Sequence, residues 1–185
     1  LDVEYAFPFG FKELEGIHHR GEWDLIRHEQ SSGQELKYFN AETKEKFTPF
    51  IIETSAGADR AALMFLADAY VEVEPRSGDE DAKHAKEVVL RLDKKLAPVK
   101  VAILPLSKKL EEPARKLYKE FQGLYLCQYD DAGSIGKRYR RQDEIGTPYC
   151  ITFDFASAED NKVTVRDRDT MEQDRIAIAE IKDYL

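Results

Sequence analysis

From residue 98 onward, short apolar runs alternate with segments of helical periodicity, and this alternation limits the possible folds more than any other feature of the sequence. Val99–Leu106 has the apolar continuity of a buried strand, and Glu111–Phe121 carries its apolar side chains on one helical face: Ala114, Leu117, Tyr118 and Phe121. Further elements are predicted in chain order as strands at Leu124–Tyr129, Cys150–Phe155 and Lys162–Val165, then a helix opening at Asp169 or Thr170 and carrying Ile176, Ile178, Ile181 and Leu185. This order predicts an α/β domain with a mixed or mostly parallel sheet.

The first part of the chain has a different pattern, and Ala97-Pro98 is predicted to be the hinge between this part and the rest. We therefore expect two domains, residues 1–97 and residues 98–185. The elements predicted before the hinge are a strand at 47–53, a turn of small residues from Thr54 to Ala58, a half-buried helix at 59–71, a charged surface loop from Glu72 to Glu87 and a strand at Val88–Leu92.

Composition excludes several classes of protein. Apolar residues make up 42% and charged residues 35% of the chain, which is too apolar for a disordered protein. The net charge of -8 argues against non-specific coating of nucleic acid but permits RNA contact through a local basic patch. No run of eighteen apolar residues is present, so we expect no membrane partner, and the start Leu1-Asp2-Val3-Glu4 lacks both Met and the features of a signal peptide. That start suggests a fragment or a processed product.

The cysteines and histidines carry little functional signal. Cys127 and Cys150 lie in apolar, strand-like surroundings without CxxC spacing, which predicts buried free thiols and a cytoplasmic location. His18 and His19 are adjacent on a predicted strand and so point to opposite faces. With His28 and His84 unpatterned, we expect no metal–histidine site.

The stretch from Glu53 to Arg60 is a candidate anion site, because it joins a strand to a helix N-terminus. Arg60, one turn into the helix, could grip a phosphate in a forked geometry; a small-residue turn with a solvated Arg is the equally weighted alternative. Glu13 and Glu15 alternate with aliphatic residues and are expected to share one strand face, where they could hold Mg²⁺ or an ammonium group, or simply be solvated.

The segment Gly133–Pro148 is the candidate RNA contact. Four of the five residues from Lys137 to Arg141 are cationic, and the fifth, Tyr139, could stack on an unpaired base. A solvated basic helix balanced by neighbouring carboxylates is the alternative interpretation.

These segments together resemble glycyl-tRNA synthetase of the homodimeric, class II type over nearly the whole chain. The resemblance rests on Asp2–Gly10, on Glu13-Leu14-Glu15-Gly16-Ile17 and Trp23-Asp24-Leu25, and on Ile52–Arg60, which is similar to class II motif 3 with Thr54 in place of the usual Pro. Gly133–Pro148 and Val163–Gln173 are similar to the best-marked stretches of the family's anticodon-binding domain. Arg27-His28-Glu29 matches the Arg-x-Glu core of motif 2 only superficially, and we interpret it as part of a surface helix.

The resemblance implies a partial class II antiparallel sheet followed by an α/β anticodon-binding domain with a mixed sheet. It implies a parent homodimer that uses ATP and Mg²⁺ to form glycyl-adenylate and transfers glycine to tRNA(Gly). Arg60 and Glu13 would be the catalytic residues. The implied ATP-binding residues are Glu13, Leu14, Gly57, Ala58, Asp59 and Arg60, and the implied glycine-binding residues are Glu53, Thr54, Ser55, Ala56 and Gly57.

For the anticodon, the resemblance implies contacts from Arg138, Arg140, Arg141, Gln142, Asp143, Arg166 and Arg168, although Arg141 could instead pair with Glu144. Because motifs 1 and 2 are absent from these 185 residues, we expect the chain alone to bind tRNA without forming the adenylate. The alternatives are a non-catalytic, synthetase-derived accessory protein that binds nucleic acid and an unrelated nucleotide-binding α/β protein.

Overall fold

The computed structural model describes residues 1–75 and 86–185, which form two compact units, Leu1–Ala67 and Asp68–Leu185. The predicted loop from Glu72 to Glu87 falls largely outside the described residues, as does His84. The predicted domain limit at residues 97 and 98 stays a prediction.

The first unit is built on an antiparallel sheet of three strands in the order β1-β2-β5. Its elements are β1 (Asp2–Phe7), β2 (Gly10–Gly21), α1 (Trp23–Ser32), the small hairpin β3 (Tyr38–Phe39) and β4 (Lys46–Phe47), β5 (Ile51–Ala56) and the start of α2 (Ala58–Ala69). The surface helix expected around Arg27 is confirmed by α1. The turn predicted from Thr54 to Ala58 is wrong in its first half, because backbone pairing with β2 extends β5 as far as Ala56.

The second unit contains a mixed sheet of five strands in the order β12-β11-β10-β8-β9, in which β8 is parallel to β9 and β10 and the other pairs are antiparallel. Its elements are β6 (Tyr70–Val73), β7 (Glu87–Leu90), β8 (Val101–Pro105), α3 (Glu111–Gln122), β9 (Cys127–Tyr129), α4 (Ile135–Ile145), β10 (Tyr149–Phe153), α5 (Ser157–Asp160), β11 (Lys162–Asp167), β12 (Gln173–Ala177) and α6 (Ile181–Tyr184). The predicted mixed sheet is therefore confirmed.

The helices α3 and α4 cover opposite faces of this sheet. Alternate residues of a strand point to opposite faces. Ile103 of β8 packs in the cluster that holds α3, whereas its neighbours Ala102 and Leu104 pack against Ile135 and Tyr139 of α4. Helix α3 buries its apolar residues Ala114, Leu117 and Phe121, whereas the fully buried residues of α4 are polar or charged: Arg138, Gln142 and Asp143.

The helix predicted to open at Asp169 or Thr170 is wrong. Gln173–Ala177 forms β12, which pairs antiparallel with β11 after a tight turn in which Met171 adopts a left-handed φ of 63°. Only Ile178–Glu180, a 3₁₀ turn, and α6 are helical in this region. The inter-strand hydrogen bonds of β12 outweigh the helical spacing of Ile176, Ile178 and Ile181.

Both cysteines are free and buried, as predicted. Burial raises the pKa of the Cys127 thiol to about 11 and that of Cys150 to about 12. Neither thiol is therefore ionised near neutral pH. None of the helices in the described parts of the chain combines the length and hydropathy that crossing a membrane requires.

Candidate functional site

The basic segment identified in the sequence forms helix α4, and its two ends are fixed by local chemistry. The Ser134 side chain accepts a hydrogen bond from the backbone N–H of Lys137, which caps the N-terminus. Gly146 adopts a φ of 82° at the C-terminus, where its N–H bonds back to the carbonyls of Gln142 and Asp143. These caps fix α4 to the residues Ile135–Ile145.

Three of the arginines predicted to contact RNA are buried inside the second unit. Arg166 is 2% exposed and makes a two-pronged ion pair with Asp143 at 2.9 and 2.8 Å. Arg168, also 2% exposed, donates to the carbonyl oxygens of Leu90, Gly146 and Leu92. These two guanidinium groups therefore connect strand β11 to helix α4 and to the end of β7 with the residues just after it.

Arg138 is the third buried arginine, and it holds the loop that precedes α4. Its guanidinium donates to the carbonyl oxygens of Gly133 and Pro105, the latter at the end of β8. Its side chain therefore faces the protein rather than a ligand on the surface.

Tyr139 is not free to stack on a base, contrary to the expectation from sequence. Its hydroxyl lies 2.6 Å from Thr152 Oγ1, and the Arg166 guanidinium carbon lies 4.7 Å from the ring centroid. The ring packs against the apolar cluster of Ala102, Leu104 and Cys150. Burial raises the pKa of the Tyr139 hydroxyl, which keeps this buried group neutral.

Arg140 and Arg141 are the predicted RNA contacts that lie at the surface. Their side chains are 39% and 43% exposed. Arg140 pairs with Glu144 one turn later, and Arg141 pairs with Asp130, so the expected pair of Arg141 with Glu144 is wrong. Because the Arg140–Glu144 pair is exposed, Arg140 can exchange its carboxylate for a phosphate at small cost. Asp130 is only 16% exposed, so Arg141 stays paired with it.

A hydrogen-bonded row of side chains lies next to these arginines and includes one residue that sequence reasoning missed. Thr147 Oγ1 donates to Gln142 Oε1 at 2.7 Å, and Gln142 Nε2 donates to Gln128 Oε1 at 3.0 Å. Gln142 is buried, so of these two glutamines only Gln128 reaches solvent. No sequence motif marks Gln128, since its partner is fourteen positions away.

In the first unit, the strand register decides which predicted catalytic residues share a face. Ser55 and Glu53 pair with Gly16 and His18 of β2. The pairing of β1 with β2 skips Leu14, which forms a β-bulge.

This bulge interrupts the alternation of side chains along β2. Glu15 and Glu13 pair with Val3 and Glu4, which are successive residues of β1 and so point to opposite faces. The expectation that Glu13 and Glu15 share a face is therefore wrong. The register instead places Glu13 on the same face as Ser55.

Arg60 lies at the start of α2 and reaches the strand that carries Glu13. Its Nη1 donates to the Glu13 carbonyl oxygen, which fixes the guanidinium beside the central strand β2. Asp59 and Arg60 also line an open cavity of about 420 Å³ together with Phe7, Phe9, Lys12 and Leu63. At the helix start the cavity is lined by the cation Arg60. It is also lined by the stacked rings of Phe7 and Phe9, whose centroids lie 5.2 Å apart.

Glu53, the residue expected to receive the glycine ammonium, has a cationic neighbour in this structure. Its Oε2 lies 3.5 Å from Arg20 Nη1, and Arg20 also bonds to Asp24. The pair is exposed and replaceable. Within residues 1–75 and 86–185, no group of three or more His, Cys, Asp and Glu side chains is arranged to hold a metal ion.

Comparison with known proteins gives consistent relatives. Residues 100–185 match the anticodon binding domain family. The glycine–tRNA ligase of Lachnospira eligens is 55% identical over 183 residues, which cover 99% of this chain and 38% of that protein. The glycine–tRNA ligase of Clostridium beijerinckii is 54% identical over 184 residues, covering 100% of this chain and 38% of that protein. The chain thus spans well under half the length of these curated relatives.

A solved structure shares the fold. The crystal structure of the RNA binding domain of threonyl-tRNA synthetase from Cryptosporidium parvum Iowa II aligns with a TM-score of 0.67 and 19% identity, covering 99% of this chain and 41% of that chain. At this identity the likeness concerns the fold alone.

Proposed function

Because the chain is homologous along its whole length to glycine–tRNA ligases, we propose that it is the tRNA-binding C-terminal portion of such an enzyme. The match of residues 100–185 to the anticodon binding domain carries this proposal. The parent enzyme would join glycine to tRNA(Gly) in the cytoplasm, as a homodimer. The identity to named ligases over the whole chain favours this function over an accessory protein.

The surface of α4 supplies the RNA contact in this proposal. Arg140 and Arg141 present guanidinium groups that can bind phosphates in the two-pronged geometry. The buried residues Arg138, Gln142, Asp143, Arg166 and Arg168 support that surface from below, as their hydrogen bonds within the unit indicate. We therefore divide the predicted anticodon residues into two that touch RNA and five that position them.

The first unit would contribute part of the amino-acid activation site. Arg60, whose guanidinium is held at the Glu13 carbonyl, would bind the triphosphate of ATP, with Leu14, Gly57, Ala58 and Asp59 nearby in the strand and helix start. Glu53 and Ser55 on one face of β5, with Thr54, Ala56 and Gly57 completing the segment, would line the glycine pocket. Mg²⁺ bound together with the nucleotide would neutralise phosphate charge.

Binding of a synthetic anticodon stem-loop tests the proposal. The full chain should bind a fluorescent RNA hairpin bearing a glycine anticodon, measured by anisotropy over a series of salt concentrations. The double variant Arg140→Gln/Arg141→Gln should weaken binding by roughly tenfold and reduce the slope of log Kd against log salt by about 2, since each lost phosphate contact lowers it by about 1.

The matched control is Lys116→Gln/Lys119→Gln, which removes two charges from the exposed side of α3 on the opposite face of the sheet. This control should bind RNA like the wild type. Equal losses in both double variants would show that only net charge matters and would contradict the assignment of α4.

A further inference from the structure

We propose that Gln128 is a base-reading residue that recognises a cytosine of the glycine anticodon, and that Thr147 and Gln142 fix its orientation. This inference rests on the proposed function. Three observations carry it: the direction of the buried hydrogen bonds, the groups that surround Gln128 and the chemistry of the cytosine edge.

The hydrogen bonds run outward from the buried end. Thr147 is 0% exposed, its hydroxyl donates to Gln142 Oε1, and the Gln142 amide turns its NH₂ group toward Gln128. Gln142 Nε2 then donates to Gln128 Oε1. The Gln128 oxygen is thereby held inward, and its NH₂ group points to solvent as a pre-oriented donor.

The neighbours of Gln128 complete a hydrogen-bonding edge. Asp130 lies two residues further along the same chain segment and therefore on the same face of the sheet. It is held by Arg141, whose Nε and Nη2 lie 2.9 and 2.6 Å from Asp130 Oδ2. Gln128 and Asp130 thus combine an amide donor with a carboxylate acceptor on the α4 side of the sheet edge.

That combination complements cytosine. The Watson–Crick edge of cytosine offers one amino donor and two acceptors, N3 and O2, whereas uracil has a donor at N3 and an acceptor at position 4. The Gln128 amide would donate to one of these acceptors, and Asp130 would accept from the amino group. Glycine codons begin with two guanines, so every glycine anticodon carries two cytosines that such an edge could read.

The test measures discrimination rather than affinity alone. The full chain is titrated with three anticodon hairpins: one with a glycine anticodon and two in which one or the other cytosine is replaced by uracil. For the wild type we expect a preference for cytosine. Gln128→Ala should reduce that preference by about fivefold at one of the two positions and leave the other unchanged, as expected for one lost hydrogen bond in a reading site.

Variants of Thr147 separate positioning from contact, because this buried side chain cannot touch RNA. Thr147→Ser keeps the hydroxyl donor and should retain the wild-type preference. Thr147→Val removes it and should reduce the preference at the same position as Gln128→Ala, with the fold checked by circular dichroism. Gln122→Ala, which removes an exposed amide at the end of α3, is the control and should change nothing.

The outcomes distinguish this inference from the proposed function. If the wild type binds none of the hairpins, the proposed function fails. If the wild type prefers cytosine and Gln128→Ala keeps that preference, or weakens all three hairpins equally, the assignment of Gln128 is overturned while the proposed function stands.

Discussion

At the scale of single residues, the ion pair of Arg166 with Asp143 has the largest expected effect on stability. Both side chains are almost fully buried, at 2% and 4% exposure, and the two groups share two hydrogen bonds. Removing one partner leaves the other charged and without its counterion in a medium that solvates it poorly. The pair also joins α4 to β11, so its loss disturbs the support of α4.

We expect Asp143→Ala to lower the free energy of unfolding by about 3–5 kcal/mol, because the Arg166 charge stays buried. Urea denaturation followed by circular dichroism measures the change. The double variant Asp143→Leu/Arg166→Met should lose far less, since it removes both charges together. A double variant as unstable as Asp143→Ala would show that packing, rather than charge burial, dominates here.

The same residues show where sequence reasoning stops. Arg138, Arg166 and Arg168 lie in basic segments of the kind that form RNA-binding surfaces. Because Arg side chains are seldom buried, the sequence alone favours exposure of all three. Their burial depends on acceptors far away in sequence, such as the Leu90 carbonyl for Arg168, 78 positions away. The segment that forms the site was therefore predictable, whereas the division into exposed and buried side chains was not.

At the scale of elements, the sequence predicts secondary structure best where an element has its own apolar periodicity. Helix α3 and strand β8 were predicted nearly to their ends for this reason. Strand β12 was mistaken for a helix because Gln173–Ala177 is mostly polar and owes its conformation to pairing with β11. The bulge at Leu14 could not be predicted either, since it is a property of two strands in register.

The C-terminus of α4 depends on a glycine that no other residue can replace without strain. Gly146 has a φ of 82°, and a Cβ added there would lie 2.9 Å from the Leu90 carbonyl oxygen. Gly146→Ala should therefore lower the free energy of unfolding by about 2 kcal/mol or more.

Gly133→Ala is the matched control for this prediction. Gly133 also has a positive φ, of 76°, but its added Cβ meets only Lys137 carbon atoms at 3.8 Å or more. Thermal unfolding should show a smaller loss of stability for Gly133→Ala than for Gly146→Ala. Equal losses would mean that backbone strain alone, and not the contact with Leu90, determines the cost.

An ion pair between Lys94, in the segment that follows β7, and Asp167 of β11 predicts a pH dependence. Lys94 Nζ lies 2.5 Å from Asp167 Oδ2 and also donates to the Tyr149 hydroxyl. Burial alone would raise the pKa of Asp167, but the hydrogen bonds from Lys94 and from the N–H groups of Thr170 and Asp169 outweigh it and lower that pKa.

A lowered carboxyl pKa stabilises the fold above its unfolded value of about 3.9, and this stabilisation is lost as pH falls through the folded pKa. Asp167→Asn should therefore have a lower free energy of unfolding than the wild type at pH 7. This difference in free energy should become smaller below about pH 4. Urea denaturation at several pH values measures it, with the exposed Asp183→Asn as control. A gap that is constant with pH would exclude the ion pair as its cause.

At the scale of the whole molecule, the two units differ in how much apolar surface they bury. Among residues 1–67, only Phe7 and Gly16 are buried, and Phe11 and Phe50 are 68% and 66% exposed. The second unit has a twelve-residue buried core cluster around β8, β10 and α3. Apolar burial is the main favourable term in folding, so the second unit should be much the more stable.

We expect this difference to appear in amide hydrogen exchange of the full chain, measured by mass spectrometry. Strand amides of β2 have hydrogen-bonded partners but little apolar cover, so local opening should expose them easily. They should exchange at least about tenfold faster than amides of β8 and β10, which lie in the buried sheet of the second unit. Because both sets of amides are measured in one sample, the solution conditions are the same for both and do not affect the comparison of their exchange rates. Equal protection in the two sets would show that strand pairing without a buried core suffices to hold the first unit closed.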